Sequence, residues 1–172
     1  MLTPPVSARD HVLGPPDAGI VLCEYGDFEC PFCAEAEPVL KALRRTLQQT
    51  LLFAFRHFPL AEAHPHAFHA AEAAEAAGAQ GLFWQMHDYL FTHQYALEDP
   101  DLVEYAAAVG CDVDRFVREM TENRYAPRVR EDFLSGIRSG VNGTPSLFIN
   151  GLRYDGPRDF DSLLAVIEQV AA

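Results

Sequence analysis

Cys30 and Cys33 stand two residues apart in YGDFECPFCAEAEP, the stretch from Tyr25 to Pro38. A close cysteine pair can exchange a disulfide with another molecule, supply half of a metal site, or close a structural bridge. The flanks favour exchange. Cys30 falls between an apolar run and a run of helical periodicity, which makes it the expected N-cap of a helix. A helix N-terminus carries roughly half a positive charge and free backbone N–H groups, and both favour a thiolate. Cys30 is therefore the expected nucleophile. Cys33, one turn further in, is placed to attack Cys30 and resolve a mixed disulfide. Pro31 and Phe32 bring no polar side chain to the sulfur.

Glu24 lies six residues before Cys30 on an otherwise apolar strand. A carboxyl in a core costs several kcal/mol unless it is neutral or paired. Two readings stand: a buried acid that holds the proton Cys33 must exchange, or a side chain that reaches solvent at the strand edge. Asp27 and Glu29 are expected in solvent, where they mildly oppose thiolate formation. A second candidate segment is GVNGTPSLF, in which Thr144 and Pro145 directly precede a strand. Taken alone, Pro145 reads as a trans proline opening that strand, since only about 5–6% of X-Pro bonds are cis.

Other chemistry-bearing residues have blander readings. Cys23 is expected buried and inert, and Cys111 to open a helix as a partly exposed thiol. His57, His64, His66 and His69 could join the cysteines in a zinc site. The plainer expectation is that His64 and His66 cap a helix near Pro65 and that His69 lies on the surface. Phe83, Trp84 and Phe91 fall at helical spacing and read as core, the alternative being a substrate groove over the cysteines. Glu35 and Glu37 read as a solvated face.

The elements that must position these groups follow from periodicity. Residues 1–18 form a Pro-rich lead-in. Ile20 to Tyr25 is a buried strand. Pro31 to Gln48 is a helix, with Pro38 inside it expected to kink it. Leu51 to Phe58 is a second strand, so strand, helix and strand form a parallel unit. From His64 to about Arg138 four or five helices and no strand are expected, one of them N-capped by Asp99 and stopped by Gly110. Leu147–Ile149 and Leu152–Tyr154 flank Asn150-Gly151, the signature of a hairpin. A helix from Arg158 to Val170 closes the chain. The domain division is thus 1–18 as lead-in, 19–63 and 139–172 as an α/β domain, and 64–138 as an inserted helical domain.

The chain of 172 residues is long enough for one sizeable core. A net charge of −12 argues against nucleic acid and anionic membranes as partners. The first twenty residues hold four prolines and no apolar stretch of signal-peptide length, so a cytoplasmic location is expected. In the cytosol a close cysteine pair is catalytic or metal-binding rather than structural.

Together EYGDFECPFC, GTPSLFING and the intervening helical block make the chain, from Ile20 onward, resemble the DsbA-like thiol–disulfide oxidoreductases of the thioredoxin superfamily. The resemblance implies a thioredoxin fold (β-α-β … β-β-α) with an all-helical insertion. It implies a redox-active Cys30–Cys33 dithiol, a cis Pro145 lying against it, and Thr144 offering backbone polar groups to an extended substrate. It also places Glu24 at the family's buried acid. Phe32, a further substrate-contact candidate, stands where the strongest oxidants carry His, so the thiolate lacks that neighbour. The implied substrates are protein thiols and disulfides, with a redox-recycling partner of unknown identity, no cofactor, no metal, and a monomeric chain. The direction of exchange stays open, as does an alternative reading as a non-catalytic metal-binding or chaperone-like module.

Overall fold

Ile20–Gly26 (β2) lies at the centre of a five-stranded sheet in a computed structural model that describes residues 1–171. The other strands are β1 (His11–Leu13), β3 (Leu51–His57), β4 (Ser146–Ile149) and β5 (Leu152–Tyr154), in the spatial order β1-β3-β2-β4-β5. β2 and β3 are parallel and are joined through helix α1 (Pro31–Thr46), while the other pairings are antiparallel. Between β3 and β4 come five helices: α2 (Ala67–Gly78), α3 (Phe83–Thr92), α4 (Asp99–Val109), α5 (Val113–Thr121) and α6 (Ala126–Arg138). Helix α7 (Phe160–Ala171) closes the chain. This is the thioredoxin fold with a helical insertion that the sequence resemblance implied.

Alternation along the central strands decides what lies on each face. Leu22, Phe53, Phe55, Leu147 and Ile149 point into the larger core with Leu40 and Leu43 of α1 and Leu163 and Ile167 of α7. Cys23, Tyr25, Ala54, Phe58 and Phe148 point to the other face, against Val141 and Phe133 of α6. Glu24 belongs by register to the α1 face. The β4–β5 hairpin turns through Asn150 at φ 47° and Gly151 at φ 80°, the left-handed pair that a tight hairpin with the native strand twist requires. Alanine-rich α2 is buried on almost every side, with Ala70, Ala73, Ala74 and Ala77 fully covered, as expected of a helix apolar all round.

Two expectations need correction. The lead-in is structured: His11–Leu13 pairs as an edge strand with Phe53–Phe55 of β3. Three residues are too few to show an alternation in sequence. Its anchor is Arg56 of β3, 1% exposed. Its guanidinium donates to both Asp10 carboxylate oxygens (2.7 and 3.1 Å), to the Pro4 and Pro5 carbonyls (2.9 and 3.1 Å) and to the Tyr25 hydroxyl (3.0 Å). Those contacts match the five N–H donors of an arginine. Second, α4 begins one residue earlier than expected. Glu98 is the N-cap, and its own N–H donates to Asp101 at 3.0 Å.

Candidate active site

Cys30 is the N-cap of α1, with φ −74° and ψ 119°, and Pro31 follows as the first helical residue. The Cys30 carbonyl accepts from the N–H groups of Cys33 (3.1 Å) and Ala34 (3.2 Å), and the Cys30 N–H donates to the Asp27 carbonyl (3.1 Å). The sulfur therefore sits over the open end of the helix with its backbone held on both sides. Its Sγ lies 3.5 Å from the carbonyl oxygen of Thr144, and the Thr144–Pro145 bond is cis, not the trans form expected from the proline alone. Donation from the Cys33 thiol pulls the Cys30 pKa down to about 5. The Thr144 side chain and the N–H groups of Cys33 and Phe32 help, against the opposing effect of burial. Cys33 is fully buried, and burial, then donation to Cys30, then the Glu24 charge push its thiol well above the ordinary value. One thiol is thus held as an anion and the other as a neutral acid.

Glu24 lies between Phe55 of β3 and Leu147 of β4, with no exposed surface, so the strand-edge reading is excluded. Among the described residues neither carboxyl oxygen has a hydrogen-bond partner. Burial, reinforced by the charges of Glu37 and Cys30, raises its pKa well above the usual carboxylate range. A carboxyl whose pKa is raised in this way, sharing a buried face with the Cys33 thiol, is a stronger base than an ordinary carboxylate and in its ionised form can accept the thiol proton. Glu37 is buried rather than solvated, because Arg44 donates to it at 2.8 Å and Lys41 lies 3.8 Å away. Phe83 is core, as expected. Trp84 and Phe91 line a groove of about 610 Å³ between α1 and α3, together with Glu37, Lys41 and Arg44. Neither Cys30, Phe32 nor Thr144 lines that groove, so it flanks the helix and does not lie over the sulfurs.

Asp27 is also not in solvent. It is 2% exposed, and its carboxylate accepts from the N–H groups of Glu29 (2.8 Å) and Leu60 (2.9 Å) and binds His64 Nδ1 at 2.7 Å. Glu29 is half-buried and accepts from the His66 N–H at 2.7 Å. The loop before α2 is stapled in this way to the loop before α1. The remaining histidines are engaged elsewhere: His57 with Glu75 at 2.8 Å and exposed His69 with Asp99 at 2.8 Å. Ligand-capable side chains converge at His57–Glu75–Asp132 and at Glu37–His87–Asp88, and neither group includes a cysteine.

A family model described as thioredoxin matches residues 7–169 of this chain. The chain belongs to the thioredoxin family. Among curated relatives, this thioredoxin-family chain is 45% identical over 170 residues to Na(+)/H(+) antiporter NhaA 1 of Mycolicibacterium gilvum. That match covers 98% of this chain but only 28% of the relative's length. Among solved structures, oxidised BdbD from Bacillus subtilis superposes with a TM-score of 0.85 at 20% identity, over 94% of this chain and 92% of that one. A thioredoxin-like oxidoreductase from Silicibacter pomeroyi gives 0.84 at 23% identity, over 95% and 92%. At such identities these likenesses concern the fold.

On this thioredoxin-family scaffold Phe32 is 60% exposed beside the buried sulfurs, an apolar surface at the mouth of the site. Cys23 is fully buried on the opposite sheet face, where burial raises its thiol pKa well above the ordinary value. Cys111 is half-buried just before α5, whose N-cap is Asp112. Sequence reasoning missed Gln94. Its Nε2 donates to the Phe28 carbonyl at 2.7 Å and the Cys30 carbonyl at 2.9 Å, tying the end of α3 to the nucleophile's loop. No local pattern marks that glutamine, because its partners lie more than sixty residues away. His64 was taken for a helix cap. Its pairing with Asp27 has no signal in the sequence while Asp27 reads as solvated and His64 as a cap.

Proposed function

We propose that this chain is a DsbA-like thiol–disulfide oxidoreductase that exchanges disulfides with protein substrates through Cys30 and Cys33. The observation that carries this reading is the asymmetry of the pair. Cys30 is held as a thiolate at the mouth of α1, and Cys33 is held protonated one turn inward.

In the reductive direction, the Cys30 thiolate attacks one sulfur of a substrate disulfide. A Cys30–substrate bond forms, and the other substrate sulfur leaves as a thiolate. Glu24 in its ionised form takes the Cys33 proton, and the Cys33 sulfur attacks Cys30. The second substrate thiolate leaves, so the substrate gains two electrons and Cys30–Cys33 becomes a disulfide. Oxidation of a substrate dithiol is the same sequence reversed. A low thiolate pKa stabilises the reduced pair, and this favours transfer of the disulfide to the substrate. Thr144 presents its backbone beside the sulfur, where an extended substrate segment is held, and Phe32 supplies apolar contact. When the pair has oxidised a substrate, a partner disulfide that takes its two electrons and is itself reduced to two thiols completes the cycle.

No helix among the described residues is long and apolar enough to cross a membrane. The antiporter name belongs to relatives of which this chain spans 26–28%. The activity proposed here is exchange by the chain's own thiols. The test is equilibration with glutathione redox buffers, combined with an assay of insulin reduction and of oxidation of a reduced, unfolded substrate. A Cys30→Ser variant is expected to lose both activities. Full activity in that variant overturns the reading.

A further inference from the structure

The site contains an imidazole that the Cys-Pro-Phe-Cys segment does not supply. His64 stands two residues before the His66 N-cap of α2 and is half-buried. Its Nδ1 lies 2.7 Å from Asp27 Oδ2. Asp27 in turn accepts the Cys30 N–H through its main-chain carbonyl at 3.1 Å. The His66 N–H to Glu29 bond at 2.7 Å closes the same pair of loops from the other side. The ring is thus clamped against the segment that carries the nucleophile by contacts made across 37 residues of chain.

We propose that His64, held by Asp27, is the positively charged neighbour of the Cys30 sulfur and keeps that sulfur anionic in place of the missing histidine between the cysteines. The proposal rests on the exchange reading above and names a positioning residue for it. The charge balance of the clamp supports it. The Asp27 carboxylate binds the ring directly, and Glu29 and the ionised Cys30 add negative charge to the same pair of clamped loops. Burial disfavours a charged imidazole, yet Asp27 foremost, then Cys30 and Glu29, raise the His64 pKa above its ordinary value. A protonated His64 cancels the Asp27 charge, which would otherwise oppose the thiolate three residues away. An opposite charge within a few ångströms shifts a pKa by roughly 1–3 units.

The proposal is tested by following the ultraviolet absorbance of the Cys30 thiolate against pH in reduced wild type, His64→Gln and His64→Lys. Glutamine can keep a neutral donor to Asp27, and lysine keeps the charge. The Cys30 pKa is expected to rise by about one unit in His64→Gln, a tenfold loss of acidity, and to stay near wild type in His64→Lys. An unchanged Cys30 titration in a folded His64→Gln variant overturns the proposal. A measurement on the wild type covers the case in which the variants fail to fold. Linkage between the two charges is reciprocal, so the His64 imidazole, followed by NMR, titrates at higher pH in the reduced than in the oxidised protein. Equal His64 pKa values in the two redox states also overturn it. Failure of the exchange reading looks different, because wild-type Cys30 would then titrate like a free cysteine. A low wild-type Cys30 pKa with an indifferent His64 removes only the present inference.

Discussion

The Cys30 sulfur lies 3.5 Å from the carbonyl oxygen of Thr144, a residue 114 positions further along the chain. The nucleophile and the backbone beside it therefore meet only because β4 pairs with β2, which places the 144–145 loop at the mouth of α1. The two cysteines differ in what surrounds them, and removing each has a different consequence. Cys30→Ser is expected to abolish exchange. Cys33→Ser is expected to leave the first attack intact and to accumulate a mixed disulfide with the substrate, because the resolving sulfur is gone. Mass spectrometry of the protein after incubation with a disulfide substrate checks this, with the adduct expected on Cys30.

Glu24 gives a pH signature with a definite sign. Its folded pKa is raised, so the stability associated with its protonated form is complete below the ordinary value of 4.5 and is lost as pH rises toward the folded value. Over that window wild type loses about 1.4 kcal/mol per pH unit relative to a Glu24→Gln variant. Cys30 acts oppositely. Its folded pKa is lowered to about 5, so stability is gained above that pH, in wild type and variant alike. The difference between the two proteins isolates Glu24. Urea unfolding of the reduced proteins from mildly acidic to mildly alkaline pH is expected to show the variant's advantage growing with pH. A constant difference contradicts a buried, neutral Glu24. In the same variant the resolving attack by Cys33 is expected to slow, since its proton acceptor is gone.

Arg56 is a stability determinant away from the sulfurs. It saturates its donors on Asp10, Tyr25 and the Pro4 and Pro5 carbonyls, and so fastens the N-terminal segment to β3. Arg56→Met leaves the buried Asp10 carboxylate without its counter-charge. Removing one partner of a buried pair costs about 3–5 kcal/mol. Chemical denaturation of Arg56→Met against wild type measures the loss.

Gly136→Ala reverses the usual helix preference. Alanine is favoured over glycine inside an exposed helix by roughly 1 kcal/mol. Here a Cβ on Gly136 of α6 would stand 2.5 Å from the Phe58 ring and 3.2 Å from Tyr25. Phe58 cannot retreat easily, because it is stacked on Phe133 at 4.4 Å. The expected outcome is a net destabilisation of about 1–3 kcal/mol, the range for overpacked cores, measured as a lowered melting temperature.

The residues themselves determined the local pieces of this protein. Short continuous apolar runs at Ile20–Tyr25 and Leu51–Phe58, helical spacing after Pro31, and Asn150-Gly151 between apolar runs are short-range signals. Each arises from the geometry of a few consecutive residues, and the elements formed where they indicated. Cys30 at the seam of strand and helix was legible for the same reason, since its acidity begins with the helix it caps. The charged groups were not legible. Asp27 read as solvated because its partners, His64 and Leu60, lie more than thirty residues away, whereas Glu37 has Arg44 on its own helix and is buried only by what that helix packs against. The edge strand β1 depended on β3, and its anchor Arg56 on prolines some fifty residues earlier. Gln94 gained its place at the site only when α3 packed beside α1. A side chain's charge state is decided by the dielectric and the donors around it. Those are properties of the assembled fold, which no window of sequence contains.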